Sequence, residues 1–169
     1  MIYTTTYHSP CGQFRLGAYE GRLCLCDWLY RIHPERILKR LSTGLGEEFL
    51  QGSSDVLRQA AAQLDEYFDG KRKAFSVPLL LVGTDFQKAV WQELQNIPYG
   101  AAITYAEEAR RIGRPEAVRA VANANGANAL SIFVPCHRVI GANGMLGGYA
   151  GGADAKRWLL EMEGNKAFR

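Results

Sequence analysis

Long apolar runs are missing from this chain of 169 residues: none approaches the roughly 18 needed to cross a bilayer, which excludes a helical membrane protein. The opening Met1-Ile2-Tyr3-Thr4-Thr5 also lacks the charged-then-apolar layout of a signal peptide, so the expected compartment is cytoplasmic. Cysteine is scarce. Cys11, Cys24, Cys26 and Cys136 would make two disulfides on paper, but a cytosolic chain of this size needs no such staples, and thiols are expected. Charge of one sign is scarce as well: a net +3 is too small to identify a nucleic-acid binder by itself. What remains is 47% hydrophobic content, enough for the core of one ordinary domain or two small ones.

The modest charge is unevenly placed. Between Ala109 and Arg157 stand Arg110, Arg111, Arg114, Arg119, Arg138, Lys156 and Arg157 against Glu116 and Asp154, seven minus two or +5, so the rest of the chain sums to −2. A polyanion would approach that half; by charge alone a solvated basic face is an equal reading.

Periodicity divides the chain near residue 82, into 1–82 and 83–169. Three strands are expected first, over residues 2–7, 13–18 and 22–28, separated by Ser9-Pro10-Cys11-Gly12 and Tyr19-Glu20-Gly21 into an antiparallel meander. A short helix over 34–41 follows, then a surer one over 55–69 with Leu57, Ala60, Ala61, Leu64 and Phe68 at helical spacing. Residues 75–81 read as a last strand or an extended connector. From Gly83 the texture turns helical. Thr84 with Gln87 makes a capping-box pattern ahead of the stripe Phe86, Val90, Leu94 and Ile97, and Thr104 with Glu107 starts another helix to about Ile112. Gly113-Arg114-Pro115 then turns the chain, Pro115 suiting a first helical turn, into an alanine-rich helix over 117–125. Two short helices around a glycine turn outline a helix-turn-helix, although many helical hairpins share that outline.

After Asn128, the apolar Leu130 to Val134 is expected to be a strand that delivers Cys136, His137 and Arg138 at its end. Cysteine is the most nucleophilic ordinary side chain, and a neighbouring base or cation raises its thiolate fraction. Neighbours on a strand point to opposite faces, so Cys136 and His137 cooperate directly only if the backbone turns there, which Pro135 makes plausible, or if water joins them. Taken alone, a lone Cys after an apolar run reads more readily as a small core residue, and a lone His as a hydrogen-bonded bystander. His8, Cys11, Cys24, Cys26 and His33 are spaced too irregularly for zinc, and Cys24 and Cys26 share a strand face as core residues would, so no metal is expected.

Pro135-Cys136-His137-Arg138-Val139-Ile140 resembles the active-site signature of the O6-alkylguanine-DNA alkyltransferases, and similarity extends over about residues 84–164. Tyr105, Arg119, Asn128, the run Gly147-Gly148-Tyr149-Ala150-Gly151-Gly152, and Lys156-Arg157-Trp158-Leu159-Leu160 leading to Glu163-Gly164 fit the same pattern. The resemblance implies an α+β fold, with a small N-terminal antiparallel-sheet, ribonuclease-H-like unit ahead of a mainly helical domain carrying the helix-turn-helix. It implies DNA repair by irreversible transfer of an alkyl group from O6-alkylguanine, and from O4-alkylthymine, to Cys136, once per molecule and without cofactor. Glu163, His137 and a water would strip the thiol proton. Tyr105, its hydroxyl polarised by Lys156, would protonate the leaving base. Arg119 would replace a base rotated out of the duplex, on a helix laid in the minor groove, with Ala117, Ala120, Ala122 and Ala124 allowing close approach. Asn128 would tie that helix to the Cys136 turn, and Tyr149, Ala150 and Arg138 would contact substrate or DNA. A monomer acting on double-stranded DNA, away from membranes, is expected.

Two positions depart from the family pattern: Ala129 stands where a proline is frequent, and Ala150 where some members have serine. Both bear on lesion preference. Rival readings are a transcription factor, which has no need of Cys136; a cysteine hydrolase, which needs an oxyanion hole and turns over; and a damage sensor that binds without transfer.

Overall fold

Alternating apolar residues build the first sheet. Strands β1 (Ile2–Ser9), β2 (Gly12–Tyr19) and β3 (Arg22–Trp28) form the expected antiparallel meander, Tyr7 facing Phe14 and Phe14 facing Trp28. The structure, a computed structural model, describes residues 1–168 and divides between Gly83 and Thr84 into two compact units.

In the first unit, helix α1 (Pro34–Leu45) runs past the expected end to a left-handed Gly46, and a short strand β4 (Phe49–Gln51) follows. β4 pairs parallel to β1, giving the order β3-β2-β1-β4. Three residues are too few to show a period, so the sequence gives no sign of it. Helix α2 (Asp55–Phe68), capped by Ser54, buries Leu57, Ala60, Leu64 and Tyr67. Residues 75–81 are a connector, tied to β3 by Leu80 N–H donating to the Leu23 carbonyl at 2.8 Å. Cys24 and Cys26 are core residues of β3, and burial pushes the Cys24 thiol up to about 12. Among the described residues no three His, Cys, Asp or Glu side chains cluster as metal ligands, and no helix is long and apolar enough to cross a membrane.

The second unit opens with α3 (Asp85–Leu94), whose capping box forms in full: Gln87 N–H donates to Thr84 Oγ1 at 3.1 Å and Thr84 N–H to Gln87 Oε1 at 3.0 Å. Val90, Trp91, Leu94 and Ile97 are buried along one face. Strand β5 (Ile103–Thr104) leads into α4 (Tyr105–Arg111), and Thr104 caps it. The second box is only half made, because the Glu107 carboxylate turns instead to Arg110 and Arg111. A left-handed Gly113 ends α4 with a pair of bonds, Gly113 N–H to Arg110 O and Arg114 N–H to Ala109 O. Pro115 lies in the turn, ahead of the helix it was expected to start, and α5 (Val118–Gly126) follows. After the turn at Cys136, strand β6 (Val139–Ile140) pairs parallel with β5, and α6 (Ala153–Met162) closes the unit.

Candidate active site

The apolar run before Cys136 is not a strand. Residues 131–134 turn, Val134 N–H bonds back to the Leu130 carbonyl at 2.8 Å, and Ile132 takes φ 76°, an unusual conformation for a β-branched side chain. Apolarity reported burial correctly but not the path of the chain. Cys136–Arg138 then form one 3-10 turn, so the backbone does bend at Pro135. Asn128 holds this loop from inside. Its Nδ2 donates to the Val134 carbonyl at 2.8 Å and to Cys136 Sγ at 3.3 Å, while its Oδ1 accepts from Leu130 N–H at 2.9 Å. An N–H aimed at sulfur stabilises negative charge as it develops there.

His137 and Glu163 are fully sheltered, with His137 Nε2 at 2.8 Å from Glu163 Oε2. Arg138 locks the same carboxylate, Nε donating to Oε1 at 2.9 Å and a terminal nitrogen to Oε2 at 3.0 Å, while its other nitrogen donates to the Ile97 carbonyl at 2.7 Å. This corrects the expectation that Arg138 faces DNA: its guanidinium is buried and engaged on three sides. Burial works against an ionised Glu163, but the hydrogen bonds from His137 and Arg138 and the charge of Arg138 outweigh it and hold the carboxyl below its usual range. Burial also lowers His137, against the pull of Glu163, so the imidazole is neutral near neutral pH. A carboxylate on Nε2 fixes the proton there. Nδ1 is then the basic nitrogen, and it is buried with no hydrogen bond to any described protein atom.

The β5–β6 pairing sets Thr104 opposite Ile140, which brings the start of α4 beside the residues following the thiol. Tyr105, the first residue of α4, has its hydroxyl 3.5 Å from the Gly148 carbonyl. Burial, then the nearby Cys136 and Glu108, raise the phenol to about 12, keeping it protonated. Gly147 has φ 74°, and a Cβ there would lie 2.7 Å from the Tyr105 oxygen, so the loop passes this ring only as glycine. Lys156 is wholly buried. It donates to the carbonyls of Val139 at 2.6 Å, Leu146, and Gly148 at 3.3 Å, and burial lowers it to about 8. It meets Tyr105 through the ring, 5.8 Å from the centroid, and not through a bond to the hydroxyl. The Tyr149 and His137 rings meet at a steep angle, 6.5 Å between centroids, and Ala150 is half-buried beside Tyr149 in sequence.

On α5, Arg119 is exposed and, among the described residues, makes no ion pair. Ala120 is exposed on the same helix, but Ala124 faces inward and its carbonyl accepts the Trp91 indole N–H at 2.8 Å, so it offers nothing to a ligand. One residue of consequence escaped the sequence reading: Glu108, fully buried and bonded to Asn125. Its signal was a carboxylate three residues after Tyr105 and four before Ile112, on the helix face that packs inward.

A thiol cradled by an amide, beside a neutral imidazole oriented by a locked carboxylate, on a helix-turn-helix scaffold, defines a cysteine-nucleophile protein of the DNA-binding kind. Comparison with known proteins gives the particular family. Residues 85–165 match "6-O-methylguanine DNA methyltransferase, DNA binding domain", and residues 2–81 match "6-O-methylguanine DNA methyltransferase, ribonuclease-like domain". The chain is 56% identical over 169 residues to the constitutive methylated-DNA--protein-cysteine methyltransferase of Bacillus subtilis (strain 168), covering 96% of each. It is 53% identical over 164 residues to the methylated-DNA--protein-cysteine methyltransferase of Methanosarcina acetivorans, covering 97% of this chain and 99% of that one. The crystal structure of Mycobacterium tuberculosis O6-methylguanine methyltransferase superposes with a TM-score of 0.81 at 42% identity, covering 96% and 93% of the two chains. A second structure of the M. tuberculosis protein, in complex with DNA, gives 0.81 at 41% identity over 95% and 92%. The chain belongs to the 6-O-methylguanine DNA methyltransferase family.

Proposed function

We propose that this protein repairs DNA by moving an alkyl group from O6-alkylguanine to Cys136, and that the residues described above divide the work as follows. His137 Nδ1 takes the thiol proton through a water, its Nε2–H held by Glu163, which Arg138 keeps ionised. Sγ attacks the alkyl carbon, a carbon–sulfur bond forms as the carbon–oxygen bond breaks, and the electron pair passes to guanine oxygen. Tyr105 gives its hydroxyl proton to the ring, and the proton taken up by His137 returns through water to the tyrosinate, so that in net terms the thiol proton ends on the dealkylated base. The lesion carries the transferred group, and the balance needs no cofactor. A thioether cannot be exchanged by a second thiol as a disulfide can, so each molecule acts once.

A base inside a duplex cannot present its exocyclic oxygen to a buried thiol, so the nucleotide rotates out of the stack. Exposed Arg119 on α5 suits the place left behind, with that helix in the minor groove. The protein acts as a monomer in the cytoplasm, and O4-alkylthymine is a second substrate. Tyr149 and Ala150 line the path of the base toward Cys136. Lys156 supports Tyr105 by pinning the Leu146–Gly148 backbone against it.

The observation that carries this reading is Cys136 Sγ held by Asn128 next to a buried imidazole whose unengaged nitrogen is the basic one. The test is a duplex with labelled O6-methylguanine. One equivalent of label on Cys136, then no further turnover, is expected, and none with Cys136→Ala. Repeated turnover would indicate a hydrolase, and normal binding with no transfer a sensor.

A further inference from the structure

The middle of helix α4 is joined to the last turn of α5 by two buried polar side chains. Glu108 is 0% exposed and Asn125 7%. Asn125 Nδ2 donates to Glu108 Oε1 at 2.8 Å. The other oxygen of each group, Glu108 Oε2 and Asn125 Oδ1, is buried with no hydrogen-bond partner. Both are acceptors when Glu108 is ionised, and two buried acceptors without a donor are costly. One proton on Oε2 would supply the donor that Oδ1 lacks, the pattern of a two-bond acid–amide pair.

The pair sits where each helix feeds the chemistry. Glu108 lies one turn after Tyr105 on α4; Asn125 lies one turn before Asn128, whose amide touches Cys136 Sγ. We propose that Glu108 carries a proton in the active protein and closes a two-bond acid–amide pair with Asn125 that fixes Tyr105 relative to Cys136, making Glu108 a positioning residue for alkyl transfer. The proposal rests on the reading of Cys136 as acceptor and Tyr105 as proton donor.

The surroundings favour the neutral acid. From α3, Glu93 faces Glu108 with like charge and has Arg111 as its own partner at 3.8 Å; from α4 the titratable neighbour is Tyr105; from α5 comes only the Asn125 amide. No cation pairs with Glu108 among the described residues. Burial raises its carboxyl to about 7 against the Asn125 hydrogen bond, with Glu93 adding to the rise. Ionisation removes one of the two bonds and places a negative charge one turn from a phenol that must itself become negative as it donates. Both effects slow transfer as pH rises.

The experiment is single-turnover transfer from an O6-methylguanine duplex across about pH 6 to 8.5, comparing wild type with Glu108→Gln. The amide keeps both bonds to Asn125 and cannot ionise. His137 and Lys156 titrate in both proteins, so the ratio of wild-type to variant rate isolates Glu108. The ratio is expected near one at the acid end and to fall roughly tenfold by the alkaline end. A flat ratio overturns the proposal. Carbon-13 NMR of labelled glutamate in wild type gives a readout that no folding defect of the variant can obscure: a Glu108 carboxyl titrating near 7 supports the proposal, and one titrating near the ordinary 4.5 overturns it. Mass analysis of Cys136 at each pH separates the two layers. An alkylated Cys136 with a flat ratio overturns this inference alone, whereas an unmodified Cys136 after lesion loss overturns the reading beneath it as well.

Discussion

Glu163 can be altered with little change of shape, and the outcome at His137 follows from hydrogen-bond chemistry. In Glu163→Gln one of the two acceptor oxygens becomes an N–H donor: at the Oε1 place it opposes Arg138 Nε–H, and at the Oε2 place it opposes both His137 Nε2–H and the terminal Arg138 nitrogen. Where the amide N–H faces Nε2, the imidazole proton moves to Nδ1 and the base is lost. Transfer is expected to fall about a hundredfold or more while the helical circular dichroism persists, and an unchanged single-turnover rate would remove Glu163 from the mechanism. Gly147→Ala tests the other side of the thiol. Its new methyl would lie 2.7 Å from the Tyr105 oxygen on a backbone with φ 74°, so a cost of about 1 kcal/mol and a displaced phenol are expected. Slower transfer with full duplex affinity is the signature; a wild-type rate would show that Tyr105 need not be held there.

The elements were legible where a period ran long enough to be read. Residues 55–69 and the stripe Phe86, Val90, Leu94, Ile97 announced α2 and α3, and Gly113 announced the end of α4. Two- and three-residue strands left no period, which hid β4, β5 and β6, and Leu130 to Val134 showed that an apolar run without alternation fixes depth alone. Within the site, the motif identified Cys136 and His137, whereas the inward turn of Arg138 depended on Glu163 arriving from the end of α6. At this scale Arg119→Ala is expected to slow transfer from duplex roughly tenfold with little change on the free modified base; equal slowing on both would place Arg119 in the chemistry and not in extrusion. The join between α4 and α5 also has a stability consequence. A carboxyl raised to about 7 in the fold, from an unfolded value near 4.5, lends stability that is complete below about 4.5 and lost as pH rises through 7. Glu108→Gln should therefore match wild type in acid and exceed it by about 3 kcal/mol above pH 8 in denaturant titrations, provided both bonds are kept.

For the molecule as a whole, the division of charge seen in the sequence needs one structural adjustment. Of the seven cations between Ala109 and Arg157, Arg138 and Lys156 are buried, and Arg110, Arg111 and Arg114 are paired with Glu107 or Glu116. Counting all seven as phosphate contacts would give a slope of log affinity on log salt of about −6, whereas this arrangement predicts about −2 to −4. Duplex binding measured from about 50 to 200 mM salt distinguishes them, and a slope steeper than −5 would mean that the paired arginines are recruited to DNA.

The bond from the Trp91 indole to the Ala124 carbonyl joins an optically active ring to the helix that carries Arg119. Indole emission shifts with the dipoles around it, so a strain in α5 on meeting a duplex becomes a change of colour. With Trp28 and Trp158 replaced by phenylalanine, the protein would report its own engagement in real time, without any attached dye.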